Sequence, residues 1–406
     1  MALTRWYPSL GPGTYRRVWS GIVPYHFAFQ IGIVATGTAA VALSSSALEV
    51  GLMVGAWGLP ILILPPFGGV AADRFSRRRT MVAAQVILGL GALAVGILAL
   101  AGLLGVWHVI VLGLAQGGVY AFFAPARTAY TAAAVDRVIV PNAIAAYSLS
   151  EQIGAVVGPV LGGLLVAVPV IGYGWAFVLI ALMHLMILAI FQGLPEQSQP
   201  GATNGETVVA RIRAGIRFAR ATPSLRVVLV VSAIAMLLGM PFRQLLPVFS
   251  ERVFEAGPAG LGLLLGAAGF GAIAGAIGAS QIRGGVGLWR WSGVLGTAFG
   301  LGVVAFALSP TFAVGVALVA VAGAATAAFT TINSAIVASI PDPAFFGRAA
   351  SLYQLTFALG PLGAIPIAAL ADQIGAPGAV AAGGLLLALL APFVARHLGR
   401  ERSLTS

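Results

Sequence analysis

The stretch Gly69-Val-Ala-Ala-Asp73-Arg74-Phe-Ser-Arg77-Arg78-Arg79 sets one acid and four arginines between two long apolar runs. Only 8% of the chain is charged, so five charges within seven residues mark a loop at a membrane face, where ions stay solvated and can grip a partner. The flanking runs each match the roughly 20 residues that cross a hydrocarbon core of about 30 Å at 1.5 Å per residue. Their reading as membrane-spanning helices decides the fold class: an all-α integral membrane protein.

The rest of the 406 residues agrees. Hydrophobic residues make up 59% of the chain, far beyond a water-soluble domain, which carries about 25% charged residues. Strand-like alternation is absent, which excludes a barrel. The net charge of +11 comes from arginines scattered singly or in small groups, without a basic domain for nucleic acid. There is no lysine among the basic residues, and no cysteine, which removes disulfides, thiol catalysis and cysteine metal sites. His26, His108, His184 and His397 lie on separate spans or ends with no metal-ligand spacing. No phosphate-binding glycine loop ending in Lys-Ser/Thr is present. Neither an enzyme, a metal, a cofactor nor ATP-driven transport is therefore expected. The apolar run after Arg16-Arg17 is longer than a signal peptide's core and is read as a retained first span.

Twelve spans can be drawn, at about 18–42, 48–70, 80–103, 107–127, 142–168, 175–194, 226–248, 260–282, 291–308, 311–335, 349–371 and 378–396. With both termini in the cytoplasm, every arginine falls on the inner side except Arg243 and Arg252. That asymmetry is the positive-inside pattern, and an error in the span count would scramble it. The longest hydrophilic connection, 195–225, ends in Arg211-Ile-Arg213-Ala-Gly-Ile-Arg217-Phe-Ala-Arg220, whose spacing predicts a basic amphipathic helix on the inner surface. It divides the chain into bundles 1–194 and 226–406, six spans each.

The two bundles echo one another. Gly158-Pro159 in span 5 recurs as Gly360-Pro361 in span 11, 202 residues later, and Gln152 has its counterpart in Gln354. The loop after span 2 has a faded copy after span 8, where Gly278 matches Gly69 and Arg283 matches Arg74. Ile282 stands where Asp73 would be, so only the first half keeps the full charge set. Such duplication is the architecture of many secondary transporters.

On these residues the chain resembles a major facilitator superfamily transporter. The superfamily's loop signature is matched at Gly69, Asp73, Arg74, Arg77, Arg78 and Arg79, with Ser76 in place of a second glycine. Its antiporter-type motif is matched in span 5 at Gly154, Gly158, Pro159, Gly162 and Gly163, while Ala145 replaces an earlier glycine. Phe123-Ala-Pro125-Ala-Arg127, Arg213-Ala-Gly-Ile-Arg217-Phe, Leu246-Pro247-Val-Phe, and Pro341-Asp342 with Gly347-Arg348 are similar to the drug and secondary-metabolite efflux group that includes the enterobactin exporter. The resemblance implies two pseudo-symmetric six-helix bundles that rock around a midplane cavity. It also implies proton-driven efflux of an amphipathic small molecule such as a drug, siderophore or natural product. Proton-coupled uptake of a nutrient is the competing direction, and a membrane receptor or enzyme on a transporter scaffold the competing class. The expected partners are the substrate, protons and membrane lipids, with a monomer in the cell membrane.

Individual residues sharpen this. A carboxylate such as Asp73 suits the unpaired N–H groups at the start of span 11, and the resemblance implies that this contact locks the inner side when the protein opens outward. Arg74 and Arg77 to Arg79 are expected to meet Asp136 or anionic headgroups. Glu151 is the one acid well inside the membrane and must face a partner or a watery cavity, which makes it the proton-coupling candidate. His26, Gln30, Gln116 and Tyr120 on spans 1 and 4 are substrate-cavity candidates, as are Met240 and Arg243 on span 7 and Phe329 on span 10. Interhelical packing is the competing reading for each. Gly113 stands where span 4 of a proton antiporter usually carries arginine.

Overall fold

A computed structural model describes residues 6–11, 13–197, 217–282, 287–339 and 346–400. Among them, twelve helical segments follow in order: α1 (Thr14–Leu43), α2, α3 (Arg77–Leu100), α4 (Val106–Ala133), α5 (Val140–Ala167), α6 (Gly172–Gln192), α7 (Pro223–Val253), α8 (Gly257–Ser280), α9 (Gly287–Ala307), α10 (Phe312–Ala338), α11 and α12 (Ala376–Arg400). Eleven are long and apolar enough to cross a membrane, and α2 is the exception. Drawn from sequence as one span, α2 is three short helices, Ala47–Gly55, Gly58–Ile63 and Pro65–Arg74. Pro60 and Pro65 cannot donate to the preceding turn, and each opens or interrupts a piece. The α11 segment likewise joins Phe346–Phe357 to Leu359–Ile374 through Ala358. Two π-helical turns, Ala235–Gly239 and Phe249–Val253, lie within α7.

Helix ends follow from local chemistry. The Ser76 hydroxyl accepts from the Arg79 N–H at 3.3 Å and so caps α3, which accounts for serine where the superfamily signature has glycine. The stretch 211–216, and with it most of the expected amphipathic helix, lies outside the described residues, as do Arg283 and Pro341-Asp342.

Helices α1 and α3 to α6 pack on one another, and α7 to α12 do the same. The two halves meet chiefly along α5 against α8 and along the first piece of α2 against α11. Because lipid and protein interior are equally apolar, packing rather than hydrophobic sorting holds these helices together.

Prolines inside the helices organise that packing. Each lacks an N–H, so the carbonyl four residues earlier loses its partner. Pro125 frees the Ala121 carbonyl, whose oxygen stands where a Cβ of Gly68 would be. Pro159 frees Ala155, 2.7 Å from the Cβ position of Gly269 on α8. Pro241 frees Leu237, which meets Gly363 of α11 in the same way. Pro392 frees Ala388, which accepts a hydrogen bond from Thr297 Oγ1 at 3.3 Å. In three of these four cases a glycine lets the neighbouring backbone come up against the exposed oxygen, a Cα–H···O contact.

Adjacent glycines test this arrangement. Gly68→Ala drives a methyl into the Ala121 carbonyl, whereas Gly69→Ala meets nothing within 4 Å. Overpacking costs about 1–3 kcal/mol, so Gly68→Ala is expected to lower the thermal unfolding midpoint in detergent. Gly69→Ala is expected to leave it unchanged or slightly raised through helix propensity.

Candidate functional site

A cavity of about 390 Å³ lies at the seam of the two halves. Gln30, Trp57, Gln116, Glu151 and Gln152 line it from the first half, and Met240, Arg243 and Gln244 from the second, with Phe29 and Met53 adding apolar wall. Of the sequence candidates, Glu151, Gln30, Gln116, Met240 and Arg243 are thereby brought together. Three are not. His26 is buried in the first half, its Nδ1 3.2 Å from Ser150 Oγ and its Nε2 3.3 Å from the Tyr147 hydroxyl. Phe329 is fully buried against Phe299, ring centres 6.4 Å apart. Tyr120 is 37% exposed but outside the cavity wall. Arg127, from the same stripe on α4, is buried with its guanidinium 4.4 Å from the Tyr147 ring centre.

Arg243, a cavity candidate on span 7, sits within α7 on the cavity wall. The π-helical turn before it ends at Met240, whose N–H reaches back five residues to Ala235 at 3.3 Å. Such a bulge rotates the side chains that follow and is frequent at functional sites. Trp57, Gln152 and Gln244 were not singled out as cavity residues in advance. The signal for both glutamines was present, since an amide in an apolar span needs a polar surrounding. Gly113 also lines the cavity, and a Cβ there would lie 2.9 Å from that of Ala56, which leaves no room for an arginine.

The α5 motif serves two seams. Gly154, Gly158 and Gly162 face α1, where Cβ atoms would fall 2.9 Å from His26 Cβ, 2.7 Å from Gln30 Cβ and 3.0 Å from Ile31 Cα. Gly163 faces α8 across the halves, 2.6 Å from the Pro258 carbonyl oxygen, while the Pro159 carbonyl fits under Gly262. The duplicated pair in α11 repeats this geometry. Gly360 abuts Met240 of α7, at 3.1 Å from Cβ to Cβ, and the Pro361 carbonyl fits under Gly55 of α2 at 2.8 Å. The two Gly-Pro pairs thus back the cavity residues Gln30 and Met240 and seal the halves on the same side.

That side is opposite the arginine-rich loop, and polar groups fasten it. The Asp372 carboxylate at the end of α11 accepts from Ser46 Oγ at 2.6 Å, from the Leu48 N–H at 3.1 Å and from the Ala47 N–H. Ser46 Oγ takes the Glu49 N–H at 3.3 Å, so the first three N–H groups of α2 are all occupied. Arg252, at the end of α7, donates to the Ser45 carbonyl at 2.6 Å and to the Ser44 carbonyl. The turn between α1 and α2 is therefore held by a cation at its helix C-terminus and an anion at its helix N-terminus, both from the other half.

At the arginine-rich end no comparable seam joins the halves among the described residues. Gly69 and Gly278 have nothing within 4 Å of their Cβ positions, and the main packing partner of Pro65–Arg74 is α4 of its own half. Arg79 pairs with Glu196 at 3.2 Å and Arg77 donates to the Ala129 carbonyl at 3.4 Å. Among the described residues, none of these arginines pairs with Asp136. The Asp73 side chain and residues 340–345 ahead of α11 lie outside what the structure describes.

Comparison with known proteins agrees with this architecture. A family described as transmembrane secretion effector matches residues 4–402. The multidrug efflux pump Tap of Mycolicibacterium fortuitum is 29% identical over 384 residues, covering 89% of this chain and 90% of Tap. The enterobactin exporter EntS of Escherichia coli O1:K1 / APEC is 29% identical over 250 residues, covering 60% of this chain and 52% of EntS. Among solved structures, a bacterial homologue of the human lysosomal transporter Spinster, inward-facing and occupied, superposes with a TM-score of 0.77 at 14% identity, over 95% of this chain and 96% of that one. The nucleoside transporter NupG gives 0.73 at 13% identity, over 95% of this chain and 98% of that one. At such identities these two speak for the fold alone.

The fastening at the closed end predicts a shift in conformation. The chain has no cysteine, so spin labels on cysteines at Glu49 and Gln373 report the opening across this end without background. Asp372→Ala removes three hydrogen bonds, together worth about 1 kcal/mol after solvent screening at this exposed site, and should raise the long-distance population about fivefold. An unchanged distance distribution would show that these bonds do not hold the end closed.

Proposed function

The chain belongs to the transmembrane secretion effector family of the major facilitator superfamily, and on that premise we propose that it exports amphipathic small molecules across the cytoplasmic membrane by proton-driven alternating access. The observation that carries this reading is a cavity between the two halves, walled by both, fastened at one end and containing an ionisable carboxylate. Efflux is supported by the relatives, which are named as an efflux pump and an exporter.

With the arginine-rich end in the cytoplasm, as the positive-inside rule implies, the fastened end is the outer one, and this reading makes the structure the inward-open form that loads cargo. Gln30, Gln116, Gln152 and Gln244 offer donors and acceptors that turn to suit varied ligands, while Trp57, Met53 and Met240 supply adaptable apolar wall. Glu151, exposed to the cavity, exchanges a proton for cargo, since a carboxylate gives up its proton when a cation arrives beside it and regains one when the cation leaves. After the halves rock, Asp73 meets the N-terminus of α11 and holds the inner side shut. The transporter works as a monomer, with its arginines among lipid headgroups.

Proteoliposomes under an imposed pH gradient test the whole reading. Outward substrate movement against inward protons is expected; inward co-movement would mark an uptake symporter, and no flux of any substrate a receptor. Glu151→Gln should abolish the dependence on the pH gradient while leaving downhill exchange of cargo intact. Proton-driven flux that survives this change removes Glu151 from coupling. Asp73→Asn loses a helix-dipole contact of about 1 kcal/mol and should reduce the outward-facing population about fivefold. Unchanged transport by that variant reduces the loop to a topology signal.

A further inference from the structure

The cavity holds two opposite charges that do not meet. Glu151 comes from α5 in one half and Arg243 from α7 in the other, and both line the same space. Among the described residues, the one ion pair is Arg79 with Glu196 at the surface, and neither Glu151 nor Arg243 makes a side-chain hydrogen bond. A lone charge in the middle of a membrane costs roughly 2.5–3.5 kcal/mol even on the mildest scales. Glu151 is exposed to the cavity and feels Arg127 of α4 only at a distance, that guanidinium lying over the Tyr147 ring, so neither Glu151 nor Arg243 has a direct ionic partner.

From this we infer that the cargo is an amphipathic zwitterion whose anionic group is taken by Arg243 and whose protonated amine is taken by Glu151. The inference rests on the export reading and names its substrate class. The planar guanidinium accommodates two oxygens of a carboxylate or sulfonate side by side, which an ammonium does not do. Trp57, Phe29 and Met53 supply the apolar wall for the body of the molecule. A zwitterion bridges the halves, because its two charges are held by residues that must move relative to one another when the halves rock. The amine also gives Glu151 its exchange partner. A cation arriving at the carboxylate displaces the proton, and a returning proton displaces the cation, which is the sign an antiporter needs. A purely anionic cargo would instead be repelled by the ionised Glu151, and a purely cationic one would leave Arg243 unpaired.

Three probes with one dansyl body separate the charges. Nε-dansyl-lysine is a zwitterion, its methyl ester a cation and its Nα-acetyl derivative an anion. Trp57 lies on the cavity wall, so energy transfer from tryptophan to dansyl reports binding to the purified full-length protein, and Trp57→Phe identifies the part of the signal that comes from the cavity. The zwitterion is expected to bind about tenfold more tightly than either derivative. Arg243→Gln should erase its advantage over the ester and leave that over the acetyl derivative; Glu151→Gln should do the reverse, and Arg243→Lys should keep part of the preference. Equal binding of the three probes, binding of none, or preferences that both variants leave untouched would overturn the inference. Flux of the same probes from proteoliposomes distinguishes this from the export reading. Charge-selective binding without pH-driven flux sinks export and leaves the site, while pH-driven flux without charge selection sinks the site and leaves export.

Discussion

In a bilayer every backbone carbonyl must find a partner within the protein, and this chain repeatedly places prolines where one is lost. Four of the freed carbonyls, at Ala121, Ala155, Leu237 and Ala388, each face a neighbouring helix, three of them against a glycine and one against a threonine hydroxyl. Proline and glycine thus act as a pair on adjacent helices: one exposes an oxygen, the other lets a backbone reach it. The pairing fixes which helices touch and how closely. It also explains why a chain with 54 glycines and 23 prolines builds long helices at all, since the residues that weaken a helix alone become its docking points in a bundle. The Ala155–Gly269 contact crosses between the halves, so part of the seam that would open in the proposed cycle consists of weak Cα–H···O contacts and small surfaces. A seam of interlocked large side chains would resist that motion.

Much of this was legible in the sequence, and the limits have physical causes. The succession of helical segments follows from the length of the apolar runs, and the Gly-Pro repeat marks equivalent positions that the structure gives equivalent contacts, Gly158 on Gln30 and Gly360 on Met240. Which side of a helix faces the cavity was less readable. A membrane helix is apolar towards lipid and towards protein alike, so Phe329 and Met240 look the same in sequence although one packs against Phe299 and the other lines the cavity. Polar residues were better guides: Gln30, Gln116, Glu151 and Arg243 all reach the cavity, and His26 misled because Ser150 and Tyr147 satisfy it within its own half. The break in α2 had a signal in Gly58-Leu59-Pro60 and Pro65-Pro66, outweighed by the run of apolar residues around it. Asp372 gave none, because its role depends on the start of α2, more than three hundred residues earlier in the chain.

That last contact gives the opening loop a counterpart. Helices α2 and α11 run antiparallel, so the C-terminal end of each shares a face of the membrane with the N-terminal end of the other. At one face Asp372, closing α11, occupies the free N–H groups that begin α2. At the other face Asp73, near the end of α2, has the same relation in sequence to the start of α11. Each helix thus carries an acid at its C-terminal end that suits the positive N-terminal end of its neighbour. In the proposed cycle a rigid rocking motion would bring one acid to its helix as it withdraws the other, so each state would gain one such contact and lose one. The two proposed states would then stay close in energy, and a modest difference in proton and substrate binding would be enough to shift the balance between them.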